Sequence, residues 1–389
     1  MEQYGVQELI NMDNKYVCLE NQCVGCMSCV EVCPKQAVKI VDTLESYNAV
    51  IDTKKCVNCN ACHVVCQNIN PPTLIEPIEC TQGWAKDIQS REKSSSGGFA
   101  FEIAKQFIKQ GGLVYSCSFF NGEFKFKMAR TVDDLEEFRG SKYVKSNQMG
   151  IFRDIKSTLE QGERVLFIGL PCQVAGLKKM LKGGFENRFY TVDLICHGTP
   201  SSRLLEKFLE QYRINIEEIS NISFRKNNDF NMYGDLKKIV PDGITDFYTL
   251  SFLKGLTYTS NCYSCRFAQI KRVSDITLGD AWGSCLPDDQ QRKGISMALC
   301  QTNKGKELLH SANLELYPFD ISTAIASNHQ LDYPSKPPKG RRRFFDRLKN
   351  GGSFNLQVLY AYPKVCIRQY IKILLSKFGM NFGKNRIKK

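Results

Sequence analysis

CVGCMSCVEVCP at residues 23–34 and CVNCNACHVVC at residues 56–66 are one pattern written twice: three cysteines separated by two residues, then a fourth after three more. Only the first run ends in proline; in the second, Pro71 and Pro72 come later. This is the spacing for two [4Fe–4S] clusters in which the fourth cysteine of each run serves the other run's cluster. One set is then Cys23, Cys26, Cys29 and Cys66; the other is Cys56, Cys59, Cys62 and Cys33. Thiolates are soft and anionic, which suits an iron–sulfur core better than hard oxygen ligands would. The competing readings are unrelated buried thiols or zinc, which usually takes paired C-x2-C units. Between the runs, Ala37–Val41 and Ala49–Ile51 have the β-branched content of short strands. Residues 21–75 therefore read as an α+β ferredoxin-like two-cluster domain behind a lead at 1–20.

The rest of the chain is too long to be an accessory. At 389 residues there is room for two or three domains, and 42% hydrophobic with 24% charged residues excludes a fibre or wholesale disorder. The first residues, MEQYGVQELINMDNKYV, have no apolar signal core. The longest nearly apolar stretch, 165–177, contains Gln173 and is far short of a membrane span. A reducing cytoplasm is the expected location, where clustered cysteines are ligands or redox centres more often than cystines.

In residues 76–335, Ser94-Ser95-Ser96-Gly97-Gly98 precedes an expected helix, Phe99–Gln110, whose free amides could hold a phosphate; the plainer reading is a serine-capped helix. A strand, an Asn121-Gly122 turn and an alternating strand follow. Arg139-Gly140-Ser141-Lys142-Tyr143 then suits either a phosphate-bearing ligand or a solvated basic loop. Next comes a parallel βαβ unit: strand Arg164–Ile168, a helix opened by Pro171, and strand Phe189–Ile195, with a further helix at Ser201–Tyr212. The expected class is α/β with a mixed sheet. Cys172 and Cys196 fall just past the carboxyl ends of neighbouring strands, where open α/β sheets place their sites. With the pair Cys262 and Cys265 they could hold a third [4Fe–4S] cluster. Inert buried thiols, a C-x-x-C redox disulfide and a Cys196-His197 nucleophile are the alternatives. Cys18, Cys80, Cys117, Cys285, Cys300 and Cys366 receive no role, and no catalytic residue is singled out.

Together SSSGG (94–98), RGSKYV (139–144), GLPCQVAGL (169–177), VDLICHGTPS (192–201), CYSC (262–265) and DITLGDAWG (275–283) resemble the coenzyme F420 hydrogenase/dehydrogenase beta-subunit family, in its form with an N-terminal two-cluster ferredoxin. The resemblance implies an FAD-dependent iron–sulfur oxidoreductase. It implies Cys172, Cys196, Cys262 and Cys265 as ligands of a third cluster. Ser95, Ser96, Gly97 and Gly98 would stand at the FAD phosphates, and Arg139, Gly140, Ser141, Lys142 and Tyr143 near the flavin. A flavin takes two electrons as hydride and releases them singly, so a ferredoxin on the same chain has a purpose. The implied partners are a small-molecule two-electron substrate, whether deazaflavin F420 or another hydride donor or acceptor, and a redox partner protein or electron carrier. Bacterial members often accompany polysaccharide-building enzymes, which suggests a surface-glycan precursor as one substrate class; the alternative is a non-catalytic electron-transfer subunit of a larger complex.

Charge adds a location. The net +13 comes from residues 336–389, which hold fifteen basic residues and one acid; the preceding 335 residues hold 38 basic and 39 acidic. A neutral body with a basic tail gives no support to nucleic-acid binding. In the tail, Pro363 opens an expected helix to Phe378. At about 100° per residue, Lys364, Arg368, Lys372 and Ser376 share one side. Cys366, Ile367, Tyr370, Ile371, Ile373, Leu374 and Phe378 occupy an opposing arc, with Lys377 inside it. Such a helix fits an anionic membrane surface, peripherally on the inner face, or a groove on the protein.

Overall fold

The computed structural model describes residues 16–226, 229–234 and 244–378; the first fifteen residues of the lead and the tail beyond 378 lie outside them. Among the described residues the strands are β1 (Val38–Asp42), β2 (Tyr47–Ile51), β3 (Glu79–Ala85), β4 (Leu113–Phe120), β5 (Glu123–Ala129), β6 (Val165–Gly169), β7 (Phe189–Leu194), β8 (Ile222–Lys226), β9 (Asp229–Gly234), β10 (Ile276–Asp280), β11 (Ser296–Cys300) and β12 (Leu314–Pro318).

The two cysteine runs fold alike. Gly25 and Asn58 sit in the left-handed region at φ 70° and 54°, as do Met27 and Asn60 at 65° and 58°. Each run then enters a one-turn helix, Ser28–Val32 or Ala61–Val64. That backbone turns an amide back onto the first sulfur: Gly25 donates to Cys23 Sγ and Asn58 to Cys56 Sγ, both at 3.4 Å. Glycine and asparagine tolerate positive φ at little cost, which accounts for both positions. β1 and β2 pair antiparallel between the runs, in register from Val38 with Ile51 to Asp42 with Tyr47.

The body is one eight-stranded mixed sheet in the order β12-β3-β11-β10-β7-β6-β4-β5. β10, β7, β6 and β4 are mutually parallel, and antiparallel strands extend both edges. The expected βαβ unit is its centre: β6, helix Pro171–Leu181, β7. Alternate residues of β6 serve opposite cores. Val165 and Phe167 pack with Ile155 and Leu177 of the helices on one face, whereas Leu166 and Ile168 pack with Ile103 and Leu309 on the other. A strand buried on both faces has to be apolar throughout, hence the unbroken run VLFI.

A second body of core lies beside the sheet, around the hairpin β8–β9. Helices Arg341–Lys349, Phe354–Ala361 and Pro363–Lys377 belong to it. The basic segment from 336 onward thus shares a core with Leu204, Phe208 and Tyr248 through Phe344, Phe345 and Phe354. Burying each phenylalanine contributes roughly 1.5–3 kcal/mol, enough to hold a strongly charged helix in place. Arg341 pins this region down: it donates to the carbonyls of Glu45 (3.1 Å) and Tyr258 (3.0 Å) and to Ser260 Oγ (3.3 Å). The apolar arc of the last helix is divided. Cys366 and Gln369 are buried against the body, while Ile367, Ile371, Leu374 and Phe378 stay exposed beside Lys364 and Arg368. Among the described residues no helix is long and apolar enough to cross a membrane.

Candidate functional site

Cys172 is the second residue of the helix after β6, and Cys196 is the second residue beyond β7. The parallel pairing of β6 with β7 sets the two cysteine-bearing segments side by side at the carboxyl edge of the sheet. Cys262 and Cys265 arrive on the turn Ser260–Ser264 and just after it. All four line one cavity of about 980 Å³. Burial pushes the Cys196 thiol up to about 12 and the Cys172 thiol well up, with neighbouring thiols adding to the effect. Beneath the cavity Arg272 donates to Asp193 Oδ1 from Nη2 (2.7 Å) and Nε (3.2 Å), and to the Phe267 carbonyl from Nη1 (2.6 Å). Both side chains are essentially inaccessible, at 1% and 0%. The pair ties the loop carrying Cys262 and Cys265 to the strand that ends before Cys196.

The ferredoxin-like unit abuts this cavity. Cys23, Cys26, Cys29 and Cys66 line a common small void. Gln67, next to Cys66, donates to the Cys172 carbonyl. Helix Pro171–Leu181 approaches so closely that a Cβ on Gly176 would stand 2.8 Å from Cys26 Cβ and 2.7 Å from Ser28 Oγ. The other set lies outward: Cys33, Cys56 and Cys62 are half-buried and Cys59 is exposed. Burial, then Cys56 and Cys33, raise the Cys62 thiol to about 11, and all three pack against the core around β1 and β2. Among the described residues, no three His, Cys, Asp or Glu side chains converge as they would around a single ion.

The two loops expected at a phosphate meet. Ser141 N–H donates to Ser95 Oγ at 2.9 Å, and Ser96 Oγ donates to the Ile295 carbonyl at 3.0 Å. Gly97 lies where a Cβ would be 2.5 Å from the Gly83 carbonyl oxygen, so no larger residue fits there. Helix Phe99–Lys109 begins after Gly98 (φ 90°) without a side-chain cap, and its first amides remain available to an anion. Lys142 points elsewhere: Nζ donates to the Phe138 and Arg139 carbonyls (2.8 and 2.9 Å), and burial lowers its ammonium to about 8. Arg139 lies over the Phe101 ring at 3.4 Å and donates to Glu136. Tyr143 stacks on Phe252 at 4.3 Å, its hydroxyl beside Arg225 and Ser141.

Residues 162–318 match the family described as the C terminus of the beta subunit of coenzyme F420 hydrogenase/dehydrogenase, and residues 22–69 match a 4Fe–4S dicluster domain. Residues 162–318 form a domain of that family. With the dicluster domain in front of it, the chain is an iron–sulfur protein related to F420-dependent enzymes. It is 22% identical over 320 residues to the coenzyme F420-dependent sulfite reductase of Methanocaldococcus jannaschii, covering 69% of this chain and 47% of that protein. The chain therefore spans about half the length of this curated relative. A solved F420-reducing [NiFe] hydrogenase complex from Methanosarcina barkeri contains a chain alike at TM-score 0.49 and 19% identity, over 72% of this chain and 95% of that one.

Several residues at the site carry no signal that composition or spacing could expose. Arg225 makes a two-pronged ion pair with Asp280, at 2.7 and 2.9 Å, joining β8 to the end of β10. Asp280 falls within DITLGDAWG, but its partner lies 55 residues away. His197, which lines the cavity, is bridged by Gln330 to His329, a pairing invisible in sequence. Cys18, which belongs to no spaced run, lines both voids and sits against Cys23 and Cys66.

Proposed function

We propose that the chain is a flavin- and iron–sulfur-dependent oxidoreductase that exchanges electron pairs with a small-molecule hydride donor or acceptor and single electrons with a carrier protein. The observation that carries this reading is the convergence of Cys172, Cys196, Cys262 and Cys265 on a cavity that the dicluster domain helps to wall. These four would hold a third [4Fe–4S] cluster, since soft thiolates gathered at one cavity suit such a group. Behind it stand Cys23, Cys26, Cys29 and Cys66, and then Cys33, Cys56, Cys59 and Cys62, with Cys59 at the surface where a carrier would dock. Ser95, Ser96, Gly97, Gly98 and Ser141 would receive the phosphates of FAD at the uncapped helix end. Arg139, Gly140 and Tyr143 would shape its surroundings, with Lys142 locking the loop. FAD, when bound, supplies the exchange between two-electron and one-electron chemistry. Arg225 and Asp280 hold β8 against the end of β10 and so fix the wall of that space. Deazaflavin F420 is the first candidate substrate, given the relatives; a polysaccharide precursor is the second.

Anaerobically purified protein should hold about twelve iron atoms, three [4Fe–4S] groups, together with a flavin that bleaches on reduction. Cys172→Ser should remove about four of them and leave the dicluster signals in place. A wild-type content of about eight sinks the third cluster. Absence of flavin, even after reconstitution, favours the second reading: an electron-transfer subunit, which the chain's half-length match to the sulfite reductase also suits.

We further propose a peripheral seat on anionic membrane, from the exposed stripe Ile367, Ile371, Leu374 and Phe378 flanked by Lys364 and Arg368. Basic residues near an anionic leaflet contribute about 1 kcal/mol each. The full chain should float with phosphatidylserine vesicles and not with neutral ones, and Ile371→Asp with Leu374→Asp should abolish it. Equal recovery from both vesicle types would sink the idea.

A further inference from the structure

We propose that Lys145 is a bridging charge between dicluster domain and body: one buried ammonium, set between the Cys23 and Cys172 sets, that holds up the reduction potentials of both clusters. The inference rests on the three-cluster reading above.

Lys145 follows the RGSKYV loop and is only 6% exposed. Its amide donates to the Pro200 carbonyl at 2.8 Å, four residues beyond Cys196. Its Nζ donates to the Val24 carbonyl at 3.0 Å, inside the loop between Cys23 and Cys26, and stands 5.0 Å from the centre of the Tyr47 ring. The same side chain lines the cavity shared by Cys172 and Cys196. The side chain therefore stands between the two sets, its Nζ bonded inside the Cys23–Cys26 loop and its length walling the cavity of Cys172 and Cys196.

A cluster held by four thiolates is an anion, and each one-electron reduction makes it more negative. In a poorly solvated interior a nearby cation stabilises the reduced form more than the oxidised one. Lysine suits the place because its compact charge can serve two neighbours. The outer cluster, with Cys59 at the surface, lies beyond this arrangement and provides an internal reference.

The test is an anaerobic redox titration of the full chain followed by electron paramagnetic resonance. In Lys145→Met the signals of the Cys23 and Cys172 clusters should both move to lower potential while the outer cluster stays. Lys145→Arg should keep the wild-type values. Lys145→Gln retains a donor for Val24 without charge, and should behave as Met does if Met loads iron poorly. No shift, an equal shift of all three signals, or a shift confined to one inner cluster overturns the proposal. An iron content of eight removes the third cluster by itself; the Cys23 signal then decides, and an unmoved signal overturns the role of Lys145.

Discussion

Asp193→Ala should destabilise the protein by about 3–5 kcal/mol, because it leaves the Arg272 guanidinium buried without a counter-charge. Arg272 is 1% exposed, and no solvent can replace the lost carboxylate. Arg272→Met should cost a similar amount, since Asp193 then loses both donors that Arg272 supplies. The double variant Asp193→Leu with Arg272→Met should be more stable than either single one, because neither charge is then stranded. Anaerobic thermal unfolding at matched iron content reads all four proteins. Single variants within about 1 kcal/mol of wild type, or a double variant that merely adds the two losses, would overturn this account. The singles should also loosen Cys265 and Cys196, whose segments the pair joins, so iron should fall by up to about four per chain.

Side chains at Gly176 are expected to part the two domains. Alanine there gains about 1 kcal/mol in helix propensity. Its Cβ nevertheless meets Cys26 Cβ at 2.8 Å, Cys26 Sγ at 2.9 Å and Ser28 Oγ at 2.7 Å. Overpacking of this kind costs about 1–3 kcal/mol, and the loop it strikes is fixed by its own left-handed turns and cannot yield freely. The melting point should therefore fall despite the better helix former. Gly176→Leu should go further and lose the iron of the Cys23 set while the outer set remains. A melting point that rises in Gly176→Ala would show that the contact is slack.

The elements read from sequence share one property: their signals are local. The cysteine runs repeat a fixed spacing, β6 to β7 is a short apolar strand–helix–strand, and Asn121-Gly122 marks its turn with two positive φ angles. β3 gave no such signal. Its residues, ECTQGWA, are polar and include a glycine, and it is a strand only because β11 and β12, more than 200 residues away, pair with both its edges. The segment RRRFFDRLK reads as a basic linker until Phe344, Phe345 and Leu348 are seen to share one buried face. At the site, positions past strand ends singled out Cys172 and Cys196, and the C-x2-C spacing singled out Cys262 and Cys265; all four line one cavity. Arg225, His329 and Lys145 were out of reach, because each acts through a partner distant in sequence and leaves no periodicity or spacing behind.

The Arg341 contact becomes an interval of time on the ribosome. Its hydrogen bond to the Glu45 carbonyl spans 296 residues. At 5–20 residues per second, roughly 15–60 s separate the emergence of the hairpin turn from that of the residue that clamps it. Throughout that interval the matched segment 22–69 is translated without that contact. The loop bearing Cys262 and Cys265 is also made before Arg341 emerges, so the contact that joins the hairpin turn to the tail is among the last that synthesis permits.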